Sequence, residues 1–219
     1  MIALLLLFTM GYGLAPWYAA FMIRSHGMAT SELGLWLGLI FGGSGIVGIT
    51  LGGEVAARRF HGDEGSQMRM SAIAVASCVP CFVLFLLLPS SSQALIALIP
   101  LVTVINLCLA PAFALLQRLV PAEMRATTLA LVMLIANLVG MGVGPQIVGI
   151  LSDLFTPALG QDALRYAMLL MSLLTLWAAY HFWALAASVK DDLDTVAETS
   201  QTLAGSGEER HNPILNPSK

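Results

Sequence analysis

Residues 121–153 read PAEMRATTLALVMLIANLVGMGVGPQIVGILSD, and this stretch decides the fold class. A short charged turn opens it, no residue from Ala126 to Ser152 is charged, and Asp153 closes it. About 20 consecutive apolar residues are enough for a helix to cross the hydrocarbon core of a bilayer. The stretch therefore predicts a transmembrane helix.

Small residues in the same stretch predict close contact with another helix. Gly140 and Gly144 share one helical stripe with Asn137, and small residues at this spacing let helix backbones approach each other in a membrane. Pro145 removes a backbone donor, which predicts a bend. Two interpretations stay open at this point: a static packing helix, and a moving helix that gates a transporter.

The composition of the whole chain is that of an integral membrane protein. Of the 219 residues, 58% are hydrophobic and 11% are charged, with a mean hydropathy of +0.83. Soluble domains carry roughly 25% charged residues. The lipid bilayer is therefore the expected surrounding. The net charge of −3 provides no basic field, so no nucleic-acid partner is expected.

Uncharged runs divide the chain into six predicted helices, and the fold class is all-α, an integral membrane six-helix bundle. The predicted helices cover approximately 2–24, 33–57, 69–88, 94–117, 124–152 and 164–189. Residues 1–189 form one transmembrane domain. After Lys190 the composition changes to acidic and small polar residues, which predicts a disordered cytoplasmic tail over 190–219.

The second helix carries a face of glycines. Six of its glycines fall within about a third of the helix circumference at 100° per residue: Gly34, Gly38, Gly42, Gly45, Gly48 and Gly52. Nearly bare backbone on one side suits sliding or tight contact against another helix. Gly38, Gly42 and Gly45 are therefore candidate packing or gating residues, together with Gly140, Gly144 and Pro145.

The distribution of basic residues predicts the orientation. Six of them flank one side of the predicted bundle: Arg58, Arg59, Arg69, Arg118, Arg125 and Lys190. Arg24 and Arg165 lie on the other side. The positive-inside rule then places both termini in the cytoplasm. The expected location is a plasma membrane, with a bacterial inner membrane favoured.

Polar residues inside the predicted helices are the candidates for function, and each has two interpretations. Thr103 and Asn106 share a stripe of the fourth helix, where they could bond to a neighbouring helix or contact a solute. Arg24 lies seven residues after Trp17, so the two side chains share a face. The arginine could snorkel to the interface or meet an anionic solute in a water-filled path.

The sequence shows no sign of an enzyme. It has no phosphate-binding glycine loop of the P-loop type, no HExxH zinc motif, no nucleophile elbow and no cluster of His and Cys ligands. No catalytic residue, no metal and no cofactor is therefore expected. Bent, glycine-rich helices around a polar stripe are instead typical of secondary transporters.

Three stretches of the chain resemble the major facilitator superfamily of transporters, and its spinster-like group most closely. Residues 15–53, which include the turn RSHGM at 24–28, look like the seventh and eighth helices of such proteins. Residues 120–153 are similar to the eleventh helix and the turn before it, and GMGVGPQIVG at 140–149 resembles the superfamily's glycine-proline motif. The resemblance implies the C-terminal half of a transporter, helices 7 to 12.

The third stretch, GGEVAARR at 52–59, stands where the superfamily repeats a loop motif of the form G-x-L-A-D-R. Gly53, Ala56 and Arg58 match the motif, and Arg59 adds a basic residue. Ala57 replaces the aspartate of the motif. The conformational latch that the resemblance attributes to this acid is therefore in doubt.

The resemblance implies transport of an organic solute by alternating access, with an anionic or amphipathic, lipid-like solute among the candidates. The helices that line or flank the superfamily's central cavity carry the six residues predicted for the solute path: Tyr12, Trp17, Arg24, Thr103, Asn106 and Asn137. The expected partners are a small-molecule solute and an N-terminal six-helix half or a second copy of the chain. The chain alone is not expected to perform alternating access. The alternative is a non-transporting remnant that binds or scaffolds another membrane protein.

Overall fold

The uncharged runs of the sequence form helices long enough to cross a bilayer in the computed structural model, which describes residues 2–211, with side chains for 2–196 and 198. The helices are α1 (Ile2–His26), α2 (Thr30–Arg59), α3 (Glu64–Leu87), α4 (Ser91–Arg118), α5 (Arg125–Asn137, Leu138–Val143 and Gly144–Leu159) and α6 (Ala163–Ser172 and Leu174–His211). The predicted all-α membrane bundle is confirmed.

One apolar stretch, Ala122–Val196, supplies two of these helices. Gly160 adopts a φ of 54° between α5 and α6, a backbone conformation that glycine reaches without steric cost. The chain reverses there, and the end of α5 packs along the start of α6. Six helices therefore cross the bundle within the described residues.

The last helix extends past the point where the sequence predicted a disordered tail. α6 continues beyond Lys190 to His211, and residues 212–219 lie outside the described part of the chain. Hydroxyl groups bond to neighbouring turns here: the Ser188 side chain donates to the Asp192 carboxylate in the following turn, and the Thr195 hydroxyl donates to the Asp191 carbonyl in the preceding one. The polar composition after Lys190 predicted disorder. Residues 190–204, however, contain no proline or glycine that would end a helix.

Prolines explain two interruptions inside the helices. α3 is interrupted at Ser77 and α4 at Cys108, and in each helix a proline, Pro80 or Pro111, follows three residues later. A proline ring clashes with the carbonyl four residues before it and cannot donate to it. The helix therefore loosens one turn ahead of each proline.

The third proline effect is a widened turn in α5. The sequence predicted a bend at Pro145, and the structure shows a π-helical segment, Leu138–Val143, immediately before it. Pro145 cannot donate a hydrogen bond to the Met141 carbonyl. Wider turns of this kind occur mostly as single insertions in α-helices and often at functional sites.

Helix α1 lies at the centre of the bundle. It contacts α2, α4, α5 and α6, while α2 packs along α4 and α3 packs along α6. The centre of the core is aromatic, since Tyr18 and Phe21 of α1 meet Phe85 of α3 with ring centroids 5.3 Å apart in each pair. This packing fixes which face of α1 is left to line a cavity.

Candidate functional site

A cavity of about 300 Å³ lies between α1 and α4, with one residue from α2. Residues three or four apart on one helix face line it, as helix geometry requires. The lining residues are Leu7, Phe8, Gly11, Tyr12, Ala15, Tyr18, Phe41, Val102, Ile105, Asn106 and Leu109. The cavity wall is therefore apolar and aromatic, and its side-chain polar groups are two phenols and one amide.

The polar groups of the cavity have unused hydrogen-bonding capacity. Asn106 donates its amide N–H to the Val102 carbonyl at 2.9 Å, which leaves its oxygen free to accept. Tyr12 is 43% exposed, its ring lies 5.3 Å from that of Phe8, and its hydroxyl makes no hydrogen bond with any described residue. Tyr18 is buried beside them, and its hydroxyl also has no hydrogen-bond partner in the described part of the chain. A solute in the cavity would meet an amide acceptor and two hydroxyls.

Two of the six residues predicted for the solute path lie together in this cavity, namely Tyr12 and Asn106. Thr103 and Asn137 do not line it. The Thr103 hydroxyl donates to the Ile99 carbonyl at 2.8 Å, and the Asn137 amide donates to the Met133 carbonyl at 2.7 Å. Both side chains thus satisfy a donor within their own helix.

Trp17 joins α1 to α5. Its indole Nε1 donates to the Pro145 carbonyl at 3.1 Å, and a Cβ built on Gly149 would lie 3.4 Å from its ring. The indole therefore rests on the helix turn that follows the π-helical segment. Sequence reasoning missed this contact because its two ends are 128 residues apart.

Arg24 lines a different pocket, where the ends of α1 and α5 meet the start of α6. It takes part in none of the ion pairs found among the described side chains. The face that Arg24 shares with Trp17 therefore points towards α5, away from the cavity between α1 and α4.

The glycines of α2 divide into two groups. Gly48 and Gly52 press against α4, where added methyl groups would collide with the Thr103 and Leu107 carbonyls. Gly38, Gly42 and Gly45, which the sequence predicted to pack or gate, have no described atom within 4 Å of an added methyl. The spacing of the glycines along α2 does not show which of them contact a neighbouring helix.

Gly140 and Gly144, predicted from the same kind of spacing, do lie at a helix crossing. A Cβ built on Gly140 would be 3.0 Å from the Phe8 carbonyl oxygen, and one on Gly144 would be 2.7 Å from the Gly13 Cα. The backbones of α1 and α5 are therefore in direct contact. The π-helical turn of α5 begins beside this contact.

The loop motif between α2 and α3 forms part of a second surface pocket. Gly53, Ala56 and Ala57 line it. Arg58 pairs with Glu54 in the preceding turn of α2, and Arg59 is exposed. No acid stands at Ala57. The methyl group of Ala57 therefore lines the pocket at the position where the superfamily motif has an aspartate.

Sequence reasoning missed the acid that is engaged in this region, Glu64. Its carboxylate is buried at the start of α3 and pairs with Arg118 at the end of α4. The neighbouring Asp63 caps α3 by accepting from the Ser66 amide at 3.1 Å and from the Ser66 hydroxyl at 2.6 Å. These hydrogen bonds lower the pKa of Asp63. The sequence signal that could have identified Glu64 was the pair of acids, Asp63 and Glu64, ahead of the apolar run of α3.

No group of three or more His, Cys, Asp or Glu side chains lies close enough to hold a metal ion within the residues described by the structure. Of the three cysteines, two are enclosed by the packed helices. Cys78 and Cys108 are buried between α3 and α4, where their thiols lie near backbone carbonyls.

The arrangement of the six described helices superposes on about half of two solved transporter structures. A bacterial homologue of the human lysosomal transporter Spinster, in an inward-facing and occupied conformation, superposes with a TM-score of 0.74 at 22% identity. That match covers 87% of this chain and 49% of the homologue. The inward-facing, unoccupied conformation gives a TM-score of 0.75 at 21% identity, with 87% and 47% covered. The resemblance to the superfamily is confirmed.

At the level of sequence, the chain is similar to an MFS-type efflux pump of Mycolicibacterium smegmatis (strain ATCC 700084 / mc(2)155). The two are 33% identical over 184 residues, which cover 84% of this chain and 43% of the pump. No protein-family model matches the chain. The chain thus spans about half the length of the curated relative and of the solved structures that it matches.

Proposed function

We propose that the chain supplies the C-terminal six helices of a major facilitator superfamily secondary transporter, which moves an organic solute across the membrane by alternating access. The observation that carries the proposal is the cavity between α1 and α4, with Tyr12 and Asn106 on its wall. Binding at a site between two six-helix bundles that rock about it is the mechanism of this fold. In this role Tyr12 and Asn106 orient the solute.

The character of the cavity favours an amphipathic, lipid-like solute. Phe8, Phe41 and the aliphatic side chains offer contact area, while the phenols and the amide offer a few hydrogen bonds. Pockets for organic ligands generally combine these two features. Trp17, Thr103 and Asn137 stay predictions for the solute path, and the hydrogen bond of Trp17 to the Pro145 carbonyl favours a role for this residue in holding α1 against α5.

The partner that we propose is a second six-helix bundle, either a separate N-terminal half or a second copy of this chain. Support comes from the faces of α2 and α5, where large apolar side chains are exposed, including Leu39, Ile46, Leu134 and Leu138. The glycine face formed by Gly38, Gly42 and Gly45 lies open on α2 as well. Polar groups that face lipid near the midplane cost a few kcal/mol each, so a cavity wall that carries Asn106 favours coverage by protein.

Reconstitution tests the proposal. The purified chain is placed in liposomes with and without the N-terminal six helices of the M. smegmatis pump. Uptake of an NBD-labelled single-chain phospholipid and of ethidium is then measured under a proton gradient. We expect uptake only when both halves are present, and a loss of at least about tenfold in Asn106→Ala and Tyr12→Phe variants, because both remove a polar contact. The matched control is Tyr166→Phe, an exposed tyrosine outside the cavity.

Two results would contradict the proposal. Uptake by the chain alone would show that one bundle suffices for transport. Stable assembly of the two halves without uptake of either solute would favour the alternative function, a non-transporting remnant that binds another membrane protein.

We further propose that both termini lie in the cytoplasm of a bacterial cell with the chain in the inner membrane, as the distribution of basic residues indicates. Labelling of a single cysteine at His61→Cys, after replacement of the three native cysteines, tests this orientation. Reaction with a membrane-impermeant maleimide only after the cells are opened is the expected result. Labelling in intact cells would reverse the orientation.

A further inference from the structure

We infer that the bundle carries an oxyanion-binding site at the end where α1 leads into α2, separate from the cavity between α1 and α4. The site is a pocket of about 450 Å³ between the end of α1, the end of α5 and the start of α6. We call it the Arg24 pocket. Its lining residues are Arg24, Ser152, Thr156, Gly160, Gln161, Ala163 and Leu164, and none of them lines the other cavity.

The guanidinium of Arg24 supplies the positive charge of the pocket. The three ion pairs among the described side chains join Glu54 to Arg58, Glu64 to Arg118 and Asp162 to Arg165. Asp162, the acid in the adjoining turn, is therefore held by Arg165 at 2.7 Å. Arg24 keeps its fork of donors free, and this fork matches the two oxygens of a carboxylate or phosphate.

Ser152 provides an independent sign that a ligand belongs here. It lines the pocket and is only 6% exposed, yet its hydroxyl makes no hydrogen bond with any described residue. The donor and acceptor capacity of this hydroxyl is therefore open to the pocket. Thr156 differs, because its hydroxyl already donates to the Ser152 carbonyl at 2.7 Å. An anion oxygen in the pocket would satisfy the donor of Ser152.

The start of α6 adds partial positive charge to the pocket. Gly160 turns the chain with its φ of 54°, and Ala163 and Leu164, the first residues of the α-helical part, face the pocket. The Asp162 side chain makes no capping hydrogen bond at this helix end. The Ala163 N–H already donates to the Gly160 carbonyl, so this helix start contributes the partial positive charge of its first turn rather than a free donor. That charge suits an anion.

These donors select an oxyanion, either a free carboxylate or phosphate or the phosphate of a single-chain amphiphile. Asp153, the acid that follows Ser152, is exposed and does not line the pocket, so no described carboxylate competes within it. In the transporter, the role of the pocket would be to bind the charged end of a solute during its passage. That role rests on the proposed function, whereas anion binding does not.

Equilibrium binding to the purified chain in zwitterionic nanodiscs tests the inference. The probes are inorganic phosphate, succinate and a short-chain lysophosphatidate, each titrated to millimolar concentration. Wild-type protein is expected to bind at least one of them. Binding should weaken about tenfold or more in Arg24→Gln, because charge-assisted bonds are lost, and less in Arg24→Lys, which keeps the charge but loses the fork.

Ser152→Ala should weaken binding about threefold, as the loss of one hydrogen bond predicts. Two matched controls keep wild-type affinity: Arg59→Gln, an exposed arginine at the other end of the bundle, and Ser44→Ala, a serine that is also 6% exposed. The melting temperatures of all variants are measured to check the fold. They should match wild type, because each change affects an exposed arginine or removes a single oxygen atom.

The three probes also distinguish the source of the oxyanion. Binding of phosphate or succinate identifies a site for free anions. Binding of lysophosphatidate alone identifies a site for an amphiphile's headgroup. No binding of any probe, or equal affinity in wild type, Arg24→Gln and Ser152→Ala, would overturn the inference. Because no transport is measured, failure here leaves the proposed function standing, and failure of transport leaves the site standing.

Discussion

The Cα of Gly13 lies 2.7 Å from the position that a Cβ on Gly144 would occupy. This close approach joins the central helix α1 to α5 one turn before the Trp17–Pro145 hydrogen bond. A side chain on either glycine would therefore push apart two helices that the indole holds together.

Gly144→Ala is expected to destabilise the chain by about 1–3 kcal/mol, because a methyl group without space forces backbone shifts. Thermal unfolding of the purified protein in detergent measures the loss. Gly142→Ala is the matched control on the same helix, since an added Cβ there meets no described atom within 4 Å. Equal melting temperatures for the two variants would contradict the close contact.

Trp17→Phe is expected to lower stability by about 1 kcal/mol or less, since single hydrogen bonds inside membrane bundles contribute roughly that much. The phenylalanine ring lacks the indole Cζ2 and Cη2 atoms that lie nearest to Gly149, so the change removes the bond to the Pro145 carbonyl together with that contact. Trp177→Phe is the control, because that indole is exposed. A Trp17→Phe protein as stable as the control would show that the bond contributes nothing.

Arg118→Gln is expected to destabilise the chain by about 1–3 kcal/mol, because it leaves the buried Glu64 carboxylate without its charged donor. Glu64→Gln should cost less, since a neutral amide at that position is easier to bury. In the double variant the two effects should not add, because the residues share one interaction. Chemical denaturation of the four proteins measures the coupling, and additive losses would exclude it.

Gly42→Leu tests whether the open glycine face of α2 serves the moving contact between two halves. The stability of this chain should not change, because no described atom lies near Gly42. Transport by the assembled halves should fall about tenfold or more, as expected when a bulky side chain enters a close helix contact. Gly43→Leu, on another face of the same helix, is the control. Wild-type uptake by Gly42→Leu would remove this face from the gating mechanism.

Removal of the acidic cap at Asp63 should loosen the start of α3. The pKa of Asp63 is lowered in the folded protein by its bonds to Ser66. The stabilising contribution is therefore present above the ordinary carboxyl pKa and is lost as the pH falls through the lowered pKa. Asp63→Ala should melt below wild type at pH 7, and the difference should shrink in acid. A difference independent of pH would contradict the role of the charge.

Length and polarity along the chain were enough to predict six helices and an all-α membrane bundle. The physical reason is that a bilayer leaves few choices: an uncharged run must satisfy its backbone internally, and a helix does so. The same rule made the crossing at Gly140 and Gly144 predictable, since close contact in lipid favours small residues. The motifs at 15–53 and 120–153 then pointed to the superfamily whose fold the comparisons confirm.

Only the tertiary structure decided which polar residues share a cavity. Tyr12 and Asn106 come together because packing of α1 on α4 joins residues 94 positions apart, whereas Arg24 joins Ser152 in another pocket. Helical periodicity assigns a residue to a face but carries no information on the helix that covers that face. For the same reason it could not separate Gly48, which is pressed on α4, from Gly42, which is open.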